Sequence, residues 1–160
     1  MINYYRFGRI LATIITAMYL RIAPWPDWFA IMNPDWILLS LIYWTMAVPE
    51  RFGIFHAWAI GLLTDVLTGN LFGQHSFAYS LVSYLCLVMH KRLRQFPIFQ
   101  QEWFIFLFLL SSQLILYWLQ NIESRGSLGL NFWLPLITGT LCWPLVYKIL
   151  RFIRLLQANA

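Results

Sequence analysis

Apolar residues run along this chain in long blocks instead of alternating or recurring on one face. Six blocks stand out, at about residues 8–23, 34–48, 54–69, 75–90, 103–121 and 132–149. Continuous apolarity over such lengths predicts helices that avoid water on every side, where period-two alternation would announce strands. The separators carry turn chemistry: Pro24 and Pro26, Pro49 through Gly53, Gly69 through Gln74, Lys91 through Gln101, and Glu123 through Asn131. Crossing an average hydrocarbon layer takes about 20 helical residues, so the second and third blocks must borrow flanking residues or thin the bilayer.

Composition turns this pattern into a membrane reading. The 160 residues are 61% hydrophobic and only 11% charged, where a soluble domain carries about a quarter of its residues as charges. The chain therefore reads as a single all-α integral membrane domain, a six-transmembrane-helix bundle spanning residues 1–160. No loop exceeds about a dozen residues, which leaves no aqueous domain to host soluble chemistry. The net charge of +5 is spread between apolar runs and lacks the single basic face that nucleic acid requires. No cleavage pattern follows the first block, which is expected to remain as the first span.

Charge orients the bundle. With the amino terminus in the cytoplasm, Arg6, Arg9, Arg51, Lys91, Arg92, Arg94, Lys148, Arg151 and Arg154 fall inside, and only Arg21 and Arg125 fall near the outer side. That bias is the positive-inside rule, and six spans place both termini in the cytoplasm. Arg51, the Lys91, Arg92 and Arg94 cluster, and Lys148, Arg151 and Arg154 form an inner basic surface facing anionic lipid or a cytoskeletal partner. The tail bearing Lys148 to Arg154 is amphipathic as well as basic.

Local signals place individual residues. Asn33 is expected to cap the second span, with Pro34 in the first helical position and Asp35 complementing the helix dipole. Trp and Tyr residues near the block ends, among them Trp25, Trp28, Tyr43, Trp44, Trp103 and Trp118, fit interfacial anchoring. In the last span, Trp143 precedes Pro144, which predicts a kink near Thr140. Cys86 and Cys142 show no metal-ligand spacing and read as small buried side chains.

The feature that asks for an explanation is Gly61, Asp65, Gly69 and Gly73, spaced four apart. On a helix this is a stripe of bare backbone flanking one acid, and a carboxylate within a span marks function or specific packing. Gly69, Asn70 and Gly73 are expected to form an exit turn. Asp65 then lies near the outer end of the third span, alone among titratable groups, bonded to a neighbouring span or to loop backbone. Gln113 is expected to reach Asp65 if the fifth and third spans meet. The histidines, His56, His75 and His90, have no partner at ligand spacing. An enzyme, a metal site and a cofactor are thus not expected. Two classes stay open: a scaffold binding other membrane proteins through its helix faces, and a small-molecule-binding subunit or transporter component with a midplane cavity lined by Asp65, Gln113 and nearby hydroxyls.

A family resemblance bears on that choice. Asn33, Pro34, Asp35, Trp36, Ile37, Leu38 and Leu39 through Tyr43 and Trp44, then Pro49, then Gly61 to Gly73 with Asp65, and finally Leu141, Cys142, Trp143, Pro144 and Leu145 occur in an order that resembles the rod shape-determining MreD family. The resemblance implies a multi-pass bacterial inner-membrane component of the elongation machinery that builds lateral peptidoglycan, with no enzymatic activity. It implies an MreC-like bitopic partner and cooperation with an MreB-like filament, a RodA-like glycosyltransferase and a penicillin-binding transpeptidase; a homodimer is carried as a further state. It also implies a fold similar to the six-helix substrate-binding subunits of vitamin transporters, although no ligand-specific set of side chains is recognisable here.

Overall fold

The sequence from Trp36 to Ala47 has no face to show to water, and the structure gives it none. In the computed structural model, which describes the backbone of residues 2–70, 73–122 and 129–158, this stretch is helix α3, and Ile37 through Met46 are all buried. A helix apolar on all sides belongs at a centre. Against α3 pack α1 (Ile2–Ile22), α5 (Gln74–Gln95) and α7 (Leu134–Ala158), and α4 (Ile54–Thr68) and α6 (Ile98–Ile122) complete the bundle on α5 and α7, with a one-turn helix α2 (Asp27–Ala30) and a 3-10 turn (Leu130–Trp133) in the connections. The described residues are helical with no strand.

Side-chain bonds fix the relative directions. The Trp44 indole donates to Thr13 and the Asn33 amide donates to the Leu20 carbonyl, so α1 runs opposite to α3. The Tyr79 hydroxyl donates to Asp35 and Arg94 donates to the Met46 and Ala47 carbonyls, so α5 runs alongside α3 in the same direction. Thr138 donates to the Met32 carbonyl, and the Tyr147 ring meets Tyr43 edge-on at 5.6 Å, which sets α7 parallel to α3 as well. Around the ring, α4 packs on α5, α5 on α6 and α6 on α7, whereas α1 holds firmly to α3 and only lightly to α4 and α7.

The helices depart from the apolar blocks where polar residues are good helix formers. Lys91 through Gln95 end the apolar run but not the helix, since Lys, Arg, Leu and Gln all favour it. What ends α5 is Pro97: the residue before a proline is pushed to extended backbone, and Phe96 sits at φ −76°, ψ 142°. The connection to α6 is thus two residues long instead of eleven. Gln101 seals the elbow by donating its amide to the Leu93 and Phe96 carbonyls.

By length and composition α6 and the Asn131–Leu156 stretch can each cross a membrane. Helices α3 and α4 are shorter apolar helices of 12 and 15 residues. The aromatic residues divide: Trp28, Trp103 and Trp118 are exposed, as interfacial anchors should be, whereas Tyr43 and Trp44 are core residues. Glu123 and Arg125, expected in an outer loop, lie outside the described residues, as do Leu71 and Phe72.

Candidate functional site

The Gly61, Asp65, Gly69, Gly73 series organises the α4–α5 hairpin. At Gly61 the two helices touch backbone to backbone: a Cβ there would lie 2.4 Å from Ser76 Cα and 2.6 Å from its nitrogen. Gly69 ends α4 in the left-handed region at φ +67°, and Gly73 opens α5 at φ +104°. Glycine adopts both without the penalty a side chain brings.

Asp65 is fully buried, and the reversal brings three donors to it. The Gly73 nitrogen donates to Oδ2 at 2.8 Å, the His75 nitrogen to Oδ1 at 3.0 Å, and the His75 ring Nδ1 to Oδ1 at 2.7 Å. The expectation of an acid isolated from other titratable groups is therefore corrected: His75, ten residues on, forms a buried pair with it. Gln113 does not reach Asp65. Its amide donates to the Phe132 carbonyl at 2.6 Å and ties α6 to the turn before α7. Two large cavities open elsewhere in the bundle, and neither Asp65 nor Gln113 lines them.

The start of α3 is corrected in register. The capping residue is Asp35, whose Oδ1 accepts the Leu38 nitrogen at 3.1 Å, and not Asn33. Asn33 instead accepts the Trp36 indole at 2.7 Å while donating to the Leu20 carbonyl, so it staples the end of α1 to the start of α3. The physical reason is the acid's second duty, since its carboxylate also accepts Tyr79 from α5 at 2.8 and 3.0 Å. Pro34 precedes the helix and packs toward Gly139 of α7. Trp143 is fully buried in α7, its ring 6.0 Å from Tyr147, and Pro144 follows inside a helix that continues to Ala158.

The basic residues gather at the end of the bundle where α3, α5 and α7 finish. Lys91, Arg92, Lys148 and Arg151 are exposed there, Arg154 is half-buried, and Arg51 lies in the turn after α3. Arg94 differs from the rest in gripping the end of α3. His75 and Tyr79 are the contributors that sequence reasoning missed, and Arg94, expected on the inner basic surface, has the added duty of binding the Met46 and Ala47 carbonyls; the signal for His75 was the glycine-flanked reversal, which folds position 75 back onto position 65. Among the described residues no group of three or more His, Cys, Asp or Glu gathers to hold a metal.

Comparison with known proteins sets this architecture in a family. The family described as rod shape-determining protein MreD matches residues 1–153. The chain belongs to that family. The rod shape-determining protein MreD of Haemophilus influenzae is 28% identical over 145 residues, covering 91% of this chain and 90% of that one. Membership supports a role in rod shape determination at the bacterial inner membrane, and the family is not a known enzyme family. No solved structure matches the chain.

Proposed function

We propose that this MreD-family chain is a six-span, non-enzymatic scaffold of the cell-wall elongation machinery, with both termini in the cytoplasm, that holds the single transmembrane helix of an MreC-like partner and thereby helps to position the peptidoglycan synthases. Three features support the membrane arrangement: the helices alternate in direction, their outer faces carry large apolar side chains such as Phe55, Leu63, Val88 and Leu141, and the basic residues collect at one end, as positive-inside placement requires. The resemblance to six-helix vitamin-transporter binding subunits would carry a ligand site with it, but Asp65 and Gln113 are already engaged within the bundle and do not favour an inherited one.

The observation that carries the partner reading is an open apolar groove of about 340 Å³ between α1 and α7, floored by Trp36 and Ser40 of α3. Its α1 wall is small at the middle, with Ala12, Thr13, Thr16 and Ala17 between Arg9 at one end and Leu20 at the other. The hydroxyls are spoken for, since Thr13 donates to the Ile10 carbonyl and Thr16 to the Ala12 carbonyl. In lipid, helix association rests on close packing against small residues, because apolar area alone gives no driving force between helices. The groove offers such a surface where the ring is least closed.

Filling the groove tests this. With Ala12→Trp or Thr16→Trp in cells, the MreC-like partner is expected to drop out of pull-downs and rods to round up, at unchanged protein level. Leu141→Trp, equal bulk on an exposed face of α7, is expected to leave both intact. Normal shape and full partner recovery with the groove filled would remove the groove from the mechanism.

A further inference from the structure

A second cavity, of about 390 Å³, opens at the basic end of the bundle, beneath the last turn of α3. Its polar lining is cationic: Tyr43, Arg94, Gln101, Tyr147, Arg151 and Arg154 converge from α3, α5, α6 and α7, and among the described residues no carboxylate lines it. Among the described residues no acid pairs with Arg151 or Arg154. Three guanidinium groups sharing one recess without a counter-charge repel one another unless an anion joins them.

Two orphaned atoms sharpen the chemistry. Tyr43 is 2% exposed, and its hydroxyl, within electrostatic reach of Arg94, Arg151 and Arg154, has no hydrogen-bond partner. Gln101 is 3% exposed, and its Oε1 is also unpartnered. The orientation of that amide is forced, because only the NH₂ group can satisfy the Leu93 and Phe96 carbonyls. Buried polar groups without partners are rare and ask for a ligand or ion. The recess thus offers guanidinium and phenol donors for an oxyanion, with one acceptor at its side for a hydroxyl.

We propose that this pocket binds a phosphate-bearing anion carrying a neighbouring hydroxyl, the chemistry of an anionic lipid headgroup such as phosphatidylglycerol or of a free phosphate. Arginines recognise phosphate through charge-assisted, often bidentate bonds. The volume suits a headgroup-sized ligand. Arg94 stays anchored on the α3 carbonyls and supplies a fixed charge, whereas Arg151 and Arg154 supply free donors. The pocket stands apart from the partner groove, and loss of partner binding would leave it untouched.

The test uses the full chain purified in a neutral maltoside detergent. Native mass spectrometry counts the lipid retained from micelles doped with phosphatidylglycerol or phosphatidylcholine, and thermal unfolding follows a titration with inorganic phosphate. One phosphatidylglycerol per chain is expected, with no retained phosphatidylcholine. Retention should fall by about tenfold or more in the Arg151→Gln, Arg154→Gln double variant. It should fall several-fold in Tyr43→Phe, which deletes one oxygen and keeps the packing. Lys91→Gln with Arg92→Gln, removing equal charge from an exposed face, should retain the lipid. Saturable stabilisation by inorganic phosphate that the pocket variants abolish, without preference for the lipid, upholds the site and assigns it a soluble ligand. Equal losses in pocket and control variants would reduce the effect to diffuse attraction by a basic surface and overturn the proposal, as would indifference of the unaltered protein to both probes.

Discussion

Asp65 shows how a single residue changes meaning between sequence and structure. In the sequence it is an acid among apolar neighbours; in the fold it gathers two backbone nitrogens and an imidazole across a reversal. Removing one member of a buried, hydrogen-bonded pair leaves the others unpaired, so Asp65→Ala is expected to destabilise the protein by at least about 3 kcal/mol, read as loss of unfolding midpoint in detergent. An unchanged midpoint would mean that the three donors find other partners. Gly61 and Gly8 make a matched pair. Gly61→Ala drives a methyl into the Ser76 backbone and is expected to cost about 1–3 kcal/mol, whereas Gly8→Ala meets nothing within 4 Å and is expected to stabilise α1 by up to about 1 kcal/mol. If the two substitutions move stability the same way, close approach is not the reason for glycine at position 61. The stripe was legible because spacing by four is a helical statement. His75 was not, because a contact across ten residues depends on the turn between them.

At the level of elements, α3 is held at both ends by one neighbour. Its first turn is capped by Asp35, which Tyr79 holds, and its last carbonyls are gripped by Arg94, so α5 closes on α3 like a bracket. Tyr79→Phe opens one jaw without changing the packing volume. It is expected to cost about 1–3 kcal/mol, the usual worth of a hydrogen bond to a charged group, here a half-buried carboxylate, and circular dichroism with thermal melting checks this. A melt identical to that of the unaltered chain would show that the cap alone suffices. Apolar block length located the main helices, but the ends of α3 and α5 obey local rules that block length does not carry. Asp35 displaced Asn33 as cap because it serves two helices at once, and α5 overran its apolar block because Pro97, not the first lysine, forbids continuation.

For the molecule as a whole, the bundle is well packed from α4 through α7 and loosest on either flank of α1. That asymmetry leaves α1 lightly held on both flanks, and under the proposed scaffold role the groove on its α7 side is where a partner helix would add packing. The membrane class was legible from composition, and family membership agrees with the order of motifs along the chain. Which helices neighbour one another was not legible, since it follows from long-range pairs such as Trp44 with Thr13 and Thr138 with Met32.

The basic recess owes its existence to a difference in length. Helix α3 has 12 residues and α7 has 25. Tyr43 meets Tyr147, so counting along parallel helices sets Ala47 level with Arg151, and α7 continues for about two more turns past the end of α3, with Arg154 on the hollow. The hollow is the shadow of a helix that stops early. One additional turn of α3, about 5.4 Å, would drive a backbone cylinder into it and take the Met46 and Ala47 carbonyls from Arg94. What preserves the hollow is therefore the stop signal at Val48 and Pro49, two residues that bear no charge.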